Sequence, residues 1–173
     1  TKGSKGSPGE LAGFIRYENK NILGDIEQNS KNGIYGQFYK GVEDGITLKK
    51  MPVAHKQEIR TGEASILCCV DGQVKEYTAQ IKRIDLNHED TNKSFVIQIT
   101  DEKLLELTGG VVQGMSGSPV LQNGKIIGAV THVFVQDSTS GYGIFIENML
   151  ENTRKHCEKP MLSYNRIAHE NSD

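Results

Sequence analysis

A serine within a run of small residues is the strongest candidate for chemistry in this chain. Ser116 lies in the stretch GMSGSP, residues 114–119, between Gly114 and Gly117. A serine that attacks a carbonyl needs an exposed hydroxyl on a tight turn, with backbone N–H groups directed at the oxyanion that forms. Gly114 can adopt backbone angles closed to other residues, and Gly117 lets a substrate chain approach. The pattern indicates a nucleophile at Ser116, with the amides of Gly114 and Ser116 as the oxyanion hole.

The same letters permit two other interpretations. A glycine-rich β-turn with a solvated serine needs no catalytic role. The G-x-S-x-G elbow of α/β-hydrolases also fits, but it requires a strand that turns into a helix. Pro119 and the dipeptide of Asn123 and Gly124 instead indicate strand and hairpin after Ser116. We therefore expect the loop to lead into a hairpin, and the bare turn remains the alternative.

Composition favours one mostly β domain without a metal or nucleic-acid partner. The 173 residues are 36% hydrophobic and include 19 glycines, which often supply turns between short strands. Lys and Arg total 20 against 22 Asp and Glu, which removes the usual electrostatic reason to expect nucleic acid. The sequence holds no HExxH motif, no cysteine and histidine cluster and no phosphate-binding loop, so we expect neither metal nor cofactor.

Short segments with the residue pattern of β-strands are expected to position the serine loop. They recur between turn signals at 14–17, 33–39, 62–70, 76–84, 94–99 and 143–147. Two hairpins are clearest, one around Asp71 and Gly72, a dipeptide suited to a type I′ turn, and one around Asn123 and Gly124. This spacing predicts an antiparallel barrel or sandwich.

Two helices and two polar ends complete the predicted domain. Leucine spacing behind Asp101 predicts a short helix near 101–107, and composition predicts another near 147–156. Residues 1–10 have the composition of a flexible lead-in, and residues 157–173 form a polar tail without a clear pattern. The ordered domain is therefore expected to span residues 11–156.

The region from Leu11 to about Leu150 resembles the SpoIVB peptidase family of endospore-forming bacteria, within the trypsin-like serine peptidases. The resemblance rests on GDI at 24–26, GIYG at 33–36, MPVA at 51–54 and the long stretch 99–150. It implies an all-β fold of trypsin-like antiparallel barrels, with the second barrel complete and the first partial. Family members carry a membrane-targeting amino end and a PDZ domain before the peptidase domain, and neither is recognisable in these residues.

The resemblance also implies a function. Family members are serine endopeptidases of sporulation signalling, made in the forespore and exported into the space between its two membranes. There they cleave a membrane-anchored regulator, SpoIVFA, and themselves, which leads to activation of a late mother-cell sigma factor. The expected partners of this chain are thus a SpoIVFA-like substrate protein and the chain itself.

Carried onto this sequence, the resemblance makes Ser116 the nucleophile and Asp101 the acidic member of a triad. Asp101 as a plain helix cap is the alternative. The family's base lies in a Gly-His-apolar motif upstream of the matched region, and none of the five histidines follows a glycine: His55, His88, His132, His156 and His169. The isolated chain is therefore expected to be inactive, and a non-catalytic peptide-binding or self-processed piece is the second hypothesis.

His132 is a candidate for the substrate pocket. It lies 16 residues after Ser116, at the end of KIIGAVTH, where trypsin-like folds place a strand that lines the pocket. We interpret it as a pocket residue and not as the base, by analogy with viral chymotrypsin-like proteases. A core histidine bonded to backbone is the alternative. His55, beside Lys56, is a weaker candidate for the base.

Overall fold

Six antiparallel strands close into a barrel, and two others pair as a separate hairpin. The computed structural model describes residues 1–4, 6–13, 18–41, 49–87 and 89–157. In this part of the chain the strands pair in the closed order β3-β4-β5-β8-β7-β6, while β1 pairs with β2. The elements are β1 Gly24–Ser30, β2 Gly33–Phe38, β3 Gly62–Cys69, β4 Val74–Ile84, β5 Phe95–Ile99, α1 Glu102–Thr108, β6 Pro119–Gln122, β7 Lys125–Val133, β8 Ser140–Phe145 and α2 Ile146–Cys157.

The predicted all-β fold with two short helices is confirmed. The strand expected at 143–147 begins earlier, at Ser140, and ends at Phe145, where α2 begins. Strand β1 is not predicted by its residue pattern, because Ile26 is its single large apolar residue and that side chain is exposed. The strand predicted at 14–17 lies outside the described residues.

The two predicted hairpin turns have different geometries. Gln122 pairs with Lys125, and the two residues between them have φ of 52° and 74°, which gives the type I′ turn that Asn-Gly favours. The type I′ turn suggested at Asp71 and Gly72 is wrong. Cys69 pairs with Val74, so four residues form the loop, and of these Gly72 alone has positive φ.

The barrel closes around the ring of Phe95, which is 1% exposed. Phe95 on β5 pairs with Gly143 on β8. A Cβ on Gly143 would lie 2.2 Å from Phe95 Cζ, and one on Gly128 of β7 would lie 3.0 Å from Phe95 Cε1. The ring therefore occupies space that two glycines leave open on adjacent strands, and it packs against Phe145 with 5.7 Å between ring centroids.

Helix α1 connects β5 to the serine loop and has a side-chain cap at its start. Asp101 is the N-cap, and its Oδ1 accepts a hydrogen bond from the Leu104 amide at 3.1 Å. Its Oδ2 accepts one from the Thr78 amide at 3.3 Å. Gly109 ends the helix in the left-handed conformation, with φ of 74°.

The amino-terminal residues are hydrogen-bonded to the last residue of α1 and to the loop that follows it. The Gly3 amide donates to the Thr108 carbonyl at 2.7 Å, and the Gln113 amide donates to the Gly9 carbonyl at 2.9 Å. The boundary that composition suggests near Leu11 therefore does not coincide with the limit of hydrogen-bonded structure.

Replacing Gly143 by alanine should destabilise the barrel. The added methyl would overlap the Phe95 ring, so we expect Gly143→Ala to lower the free energy of unfolding by about 1–3 kcal/mol in urea denaturation. Gly13→Ala is the matched control, because a Cβ at Gly13 meets nothing within 4 Å. Equal stability of the two variants would show that Phe95 does not fill this space.

Asp101 should stabilise α1 whatever its part in catalysis. We expect Asp101→Ala to lower the free energy of unfolding by about 1 kcal/mol, since the Leu104 amide loses its acceptor. Asp101→Asn keeps an acceptor oxygen and should stay within a few tenths of a kcal/mol of the parent protein. The same urea titration measures the free energy of unfolding of both variants. A large decrease in Asp101→Asn would contradict the interpretation that an uncharged acceptor oxygen is enough to cap the helix.

Candidate active site

Ser116 lies exposed on the loop between α1 and β6. Its Oγ donates a hydrogen bond to the Thr131 carbonyl on β7 at 2.8 Å. The preceding residue, Met115, points the other way and is 1% exposed. The loop therefore buries one side chain and presents the next to solvent, next to β7.

The backbone amides of this loop alternate between bonded and free. The amide of Met115 donates to Val112, that of Gly117 to Val130, and that of Ser118 to Met115. Among the described residues, no hydrogen-bond partner exists for the amides of Gly114 and Ser116. These two amides are the ones the sequence predicts as oxyanion donors.

Positive backbone angles produce this arrangement. Gly114 has φ of 100° and Gly117 has φ of 90°, a region that L side chains avoid. Ser116 lies between these two glycines, and its side chain is exposed. Two free N–H groups beside an exposed hydroxyl can stabilise a negatively charged oxygen on an atom bonded to that hydroxyl.

Ser116 lines a cleft of about 270 Å³ between the barrel and the β1–β2 hairpin. One wall is β7, including Thr131 and the exposed His132. The other wall carries Ile34 of β2, and Met149 of α2 also lines the cleft. The structure thus brings Ser116 and His132 together in one cleft, as the pocket hypothesis requires.

Two polar contacts hold the hairpin wall in place. Thr91 Oγ1 donates to Asn32 Oδ1 at 2.6 Å, which ties the β1–β2 turn to the 3-10 turn Thr91–Lys93. Thr131 Oγ1 donates to the Asn92 carbonyl at 2.6 Å and joins that turn to β7. Sequence reasoning missed these residues, because nothing local connects side chains 59 positions apart.

Asp101 does not line this cleft. Its carboxylate oxygens accept from the amides of Leu104 and Thr78, and among the described residues no histidine donates to it. A carboxylate accepts about four hydrogen bonds, so two lone-pair positions remain for another donor. Its role as the acidic member of a triad stays a prediction.

His55 pairs with Glu147 away from the cleft. His55 Nδ1 lies 3.1 Å from Glu147 Oε1, and the Lys56 amide donates to Glu147 Oε2 at 2.7 Å. The Lys56 amide and the His55 ring lower the pKa of the Glu147 carboxyl. His88 and His169 lie outside the described residues, and the side chain of His156 is not described.

The thiol of Cys68 does not have the environment of a nucleophile. Cys68 is buried, and burial raises the pKa of its thiol to about 11, whereas its neighbour Cys69 is exposed. In the described ranges, no three His, Cys, Asp or Glu side chains come close enough to hold a metal ion. No described helix has the length and apolar character needed to cross a membrane.

Comparison with known proteins assigns the chain to a family. The model of the family SpoIVB peptidase S55 matches residues 1–150. A search of curated protein sequences gives no match. Crystal structures of the Rv3671c protease of M. tuberculosis share the barrel fold: the active form has a TM-score of 0.54 at 17% identity, covering 75% of this chain and 56% of that one. The inactive form of Rv3671c protease has a TM-score of 0.53 at 15% identity, covering 76% and 66%.

The chain thus spans little more than half of the first of these proteases, and at such identities the likeness concerns the fold alone. The family match covers most of the chain, including the loop that carries Ser116. It agrees with the resemblance found in the motifs, from GDI at 24–26 to the stretch 99–150. The chain belongs to the SpoIVB peptidase S55 family.

Proposed function

We propose that this chain is the nucleophile-bearing part of a serine endopeptidase. The observation that carries the proposal is the pair of free amides, on Gly114 and Ser116, that flank an exposed serine hydroxyl. Family membership supports it, because the matched family is one of peptidases. The reaction is acyl transfer from a peptide bond to Ser116 and then to water.

In the first step Ser116 Oγ attacks the carbonyl carbon of the scissile peptide, and its proton passes to a histidine. The carbonyl oxygen becomes an oxyanion and accepts hydrogen bonds from the two free amides. The histidine then protonates the leaving amine, and an ester to Ser116 remains. Water hydrolyses this ester by the same sequence of proton transfers, which restores the hydroxyl.

By resemblance to the family, whose base lies in a Gly-His-apolar motif upstream of the matched region, the histidine in this proposal would come from residues that precede Thr1. The β1–β2 hairpin supports such an arrangement, because Ile26, Ile34 and Phe38 are each about two thirds exposed, at 66%, 64% and 67%. A two-stranded hairpin is marginally stable by itself. Further strands packed on this apolar face would complete the first barrel and place a base near Ser116.

Asp101 would orient that base. Its carboxylate accepts hydrogen bonds from two backbone amides and retains acceptor positions for an imidazole N–H. The Ser116 hydroxyl, which donates to the Thr131 carbonyl, would rotate about χ1 to donate to the histidine.

His132 would bind a substrate side chain in the cleft. Its ring is exposed beside Ser116, and a neutral imidazole both donates and accepts hydrogen bonds. The finer assignments follow the family: the protein would be exported from the forespore into the space between the two forespore membranes, where its substrates would be a membrane-anchored, SpoIVFA-like regulator and the chain itself. Cleavage there would lead to activation of a late sigma factor.

A second candidate function is peptide binding without cleavage. The observation that favours it is the hydrogen bond from Ser116 Oγ to the Thr131 carbonyl, in place of a bond to a base. Such a chain would hold a peptide in the 270 Å³ cleft and leave it intact.

Ser116 should be required for cleavage by the full-length protein, including the residues before Thr1. We expect Ser116→Ala to reduce peptide cleavage and self-cleavage by about a millionfold, which is the loss that removal of the nucleophile causes in subtilisin. A fluorophosphonate probe should label the parent protein at Ser116 and fail to label the variant. Ser118→Ala is the matched control from the same motif and should keep both activities. Cleavage that persists in Ser116→Ala would exclude the proposed function, and a parent protein that binds peptide without labelling would support the second candidate.

His132 should affect substrate binding more than chemistry. We expect His132→Ala to raise KM by about fivefold with little change in kcat, since one hydrogen bond to the bound substrate is worth about 1 kcal/mol. His55→Ala is the control, because His55 lies outside the cleft. Steady-state kinetics with a peptide substrate measures both, and loss of kcat at unchanged KM would contradict the pocket role.

A further inference from the structure

The amino-terminal strap, defined here as residues 9–11, is paired with the residue directly before Gly114. Glu10 and Gln113 form a parallel β-bridge. The Leu11 amide donates to the Gln113 carbonyl at 2.9 Å, and the Gln113 amide donates to the Gly9 carbonyl at 2.9 Å. Both backbone polar groups of Gln113 are therefore held by the strap, and no strand of the barrel holds them.

The Gln113 carbonyl belongs to the same peptide group as the Gly114 amide. This group is planar and trans, so its C=O and N–H point in opposite directions. The hydrogen bond from Leu11 therefore fixes the direction of the Gly114 N–H as well. That N–H is one of the two free amides beside Ser116.

The residue type at position 114 makes this anchor necessary. Gly114 has φ of 100°, and glycine populates positive and negative φ with similar ease. Without an external partner the Gln113–Gly114 peptide can rotate by half a turn at little cost. Its carbonyl would then replace its N–H beside Ser116, and one oxyanion donor would be lost.

Leu11 also restricts the peptide sterically. A Cβ placed on Gly114 would lie 3.1 Å from Leu11 Cβ, so the leucine side chain rests directly over this glycine. Leu11 is half-buried and packs against the hydrophobic core. The Gly3 amide, bonded to the Thr108 carbonyl at 2.7 Å, holds the start of the same loop.

We propose that the strap holds the oxyanion hole in its working conformation, with Leu11 as a positioning residue that acts through the Gln113–Gly114 peptide. The inference rests on the proposed peptidase function. It makes the amide and the side chain of Leu11 part of the apparatus that controls activity, because displacement of Leu11 from Gln113 would release the Gly114 amide.

The test uses the full-length protein and compares Leu11→Pro with Leu11→Met. Proline removes the N–H that bonds the Gln113 carbonyl, whereas methionine keeps the N–H and a side chain of similar volume. Removal of one oxyanion donor costs about a hundred- to a thousandfold in kcat, so partial loss of its orientation should cost about ten- to a hundredfold. We expect this loss in kcat per active site, counted by fluorophosphonate titration, at unchanged KM, with Leu11→Met close to the parent protein.

A peptide aldehyde supplies a second readout. It forms a tetrahedral adduct with the nucleophilic serine, and its oxyanion occupies the same hole, so its affinity should fall in Leu11→Pro in parallel with kcat. Glu10→Ala is the matched control, since the Glu10 side chain is exposed and its backbone pairing is unaffected. Gly9→Ala provides a variant that leaves Leu11 unchanged, because its Cβ would lie 2.2 Å from the Thr1 carbonyl oxygen and push the strap away.

The outcomes separate the two proposals. A purely structural role of the strap would lower the number of titratable sites while kcat per site and aldehyde affinity stay unchanged, and this result would overturn the inference. Parent protein that shows no Ser116-dependent labelling or cleavage would instead overturn the proposed function, and the strap inference with it.

Discussion

The packing of Phe95 into space left by glycines is the constraint on which the rest of this structure depends. The ring sits where side chains at Gly143 and Gly128 would otherwise be, so β5, β8 and β7 can lie side by side around it. Closure of the barrel at this point fixes β7. The serine loop then attaches to β7 by a reciprocal pair of hydrogen bonds, from Gly117 to Val130 and from Val130 to Ser118.

That attachment explains why an exposed loop can hold a defined geometry. Met115 is buried in the core on one side of the loop, and Ser116 donates to Thr131 on the other. Each anchor uses a group other than the amides of Gly114 and Ser116, which are left free. Preorganised donors of this kind are effective because they need no rearrangement when negative charge develops. The groups that anchor the loop and the amides that are free to stabilise negative charge are therefore neighbours in the same short segment.

The opposite wall of the cleft has a different origin. The β1–β2 hairpin contributes little to the barrel core, and several of its apolar side chains are exposed. It is held against the barrel by polar contacts, including the bond between Thr91 and Asn32. In the proposed peptidase this hairpin belongs to the first barrel, so the cleft lies between two structural units. Such boundaries commonly hold active sites, because each unit can supply part of the machinery while remaining stable itself.

The sequence by itself determined the local features of this protein. The apolar alternation of β3 and β4, the Asn123 and Gly124 turn and the Asp101 cap depend on neighbouring residues, and each was predictable from them. The motif around Ser116 and the stretch that flanks it identified the family, because a motif is also a local pattern of residues. The four-residue loop at Asp71 was not predictable, because the register between Cys69 and Val74 depends on the packing of whole strands.

Only the tertiary structure decided what surrounds the serine. Pairing of the strap with Gln113, the contact of Leu11 with Gly114 and the bond between Asn32 and Thr91 join segments that are distant along the chain. Local composition even favours a flexible segment at residues 1–10, since glycine and serine bury little apolar surface. Gly3 and Gly9 nevertheless form backbone hydrogen bonds with Thr108 and Gln113, about a hundred residues away, and backbone groups carry no signature in the sequence. Side-chain pattern therefore predicted an antiparallel barrel or sandwich, the turn that carries Ser116 and the family, while the orientation of the peptides in that loop required the folded chain.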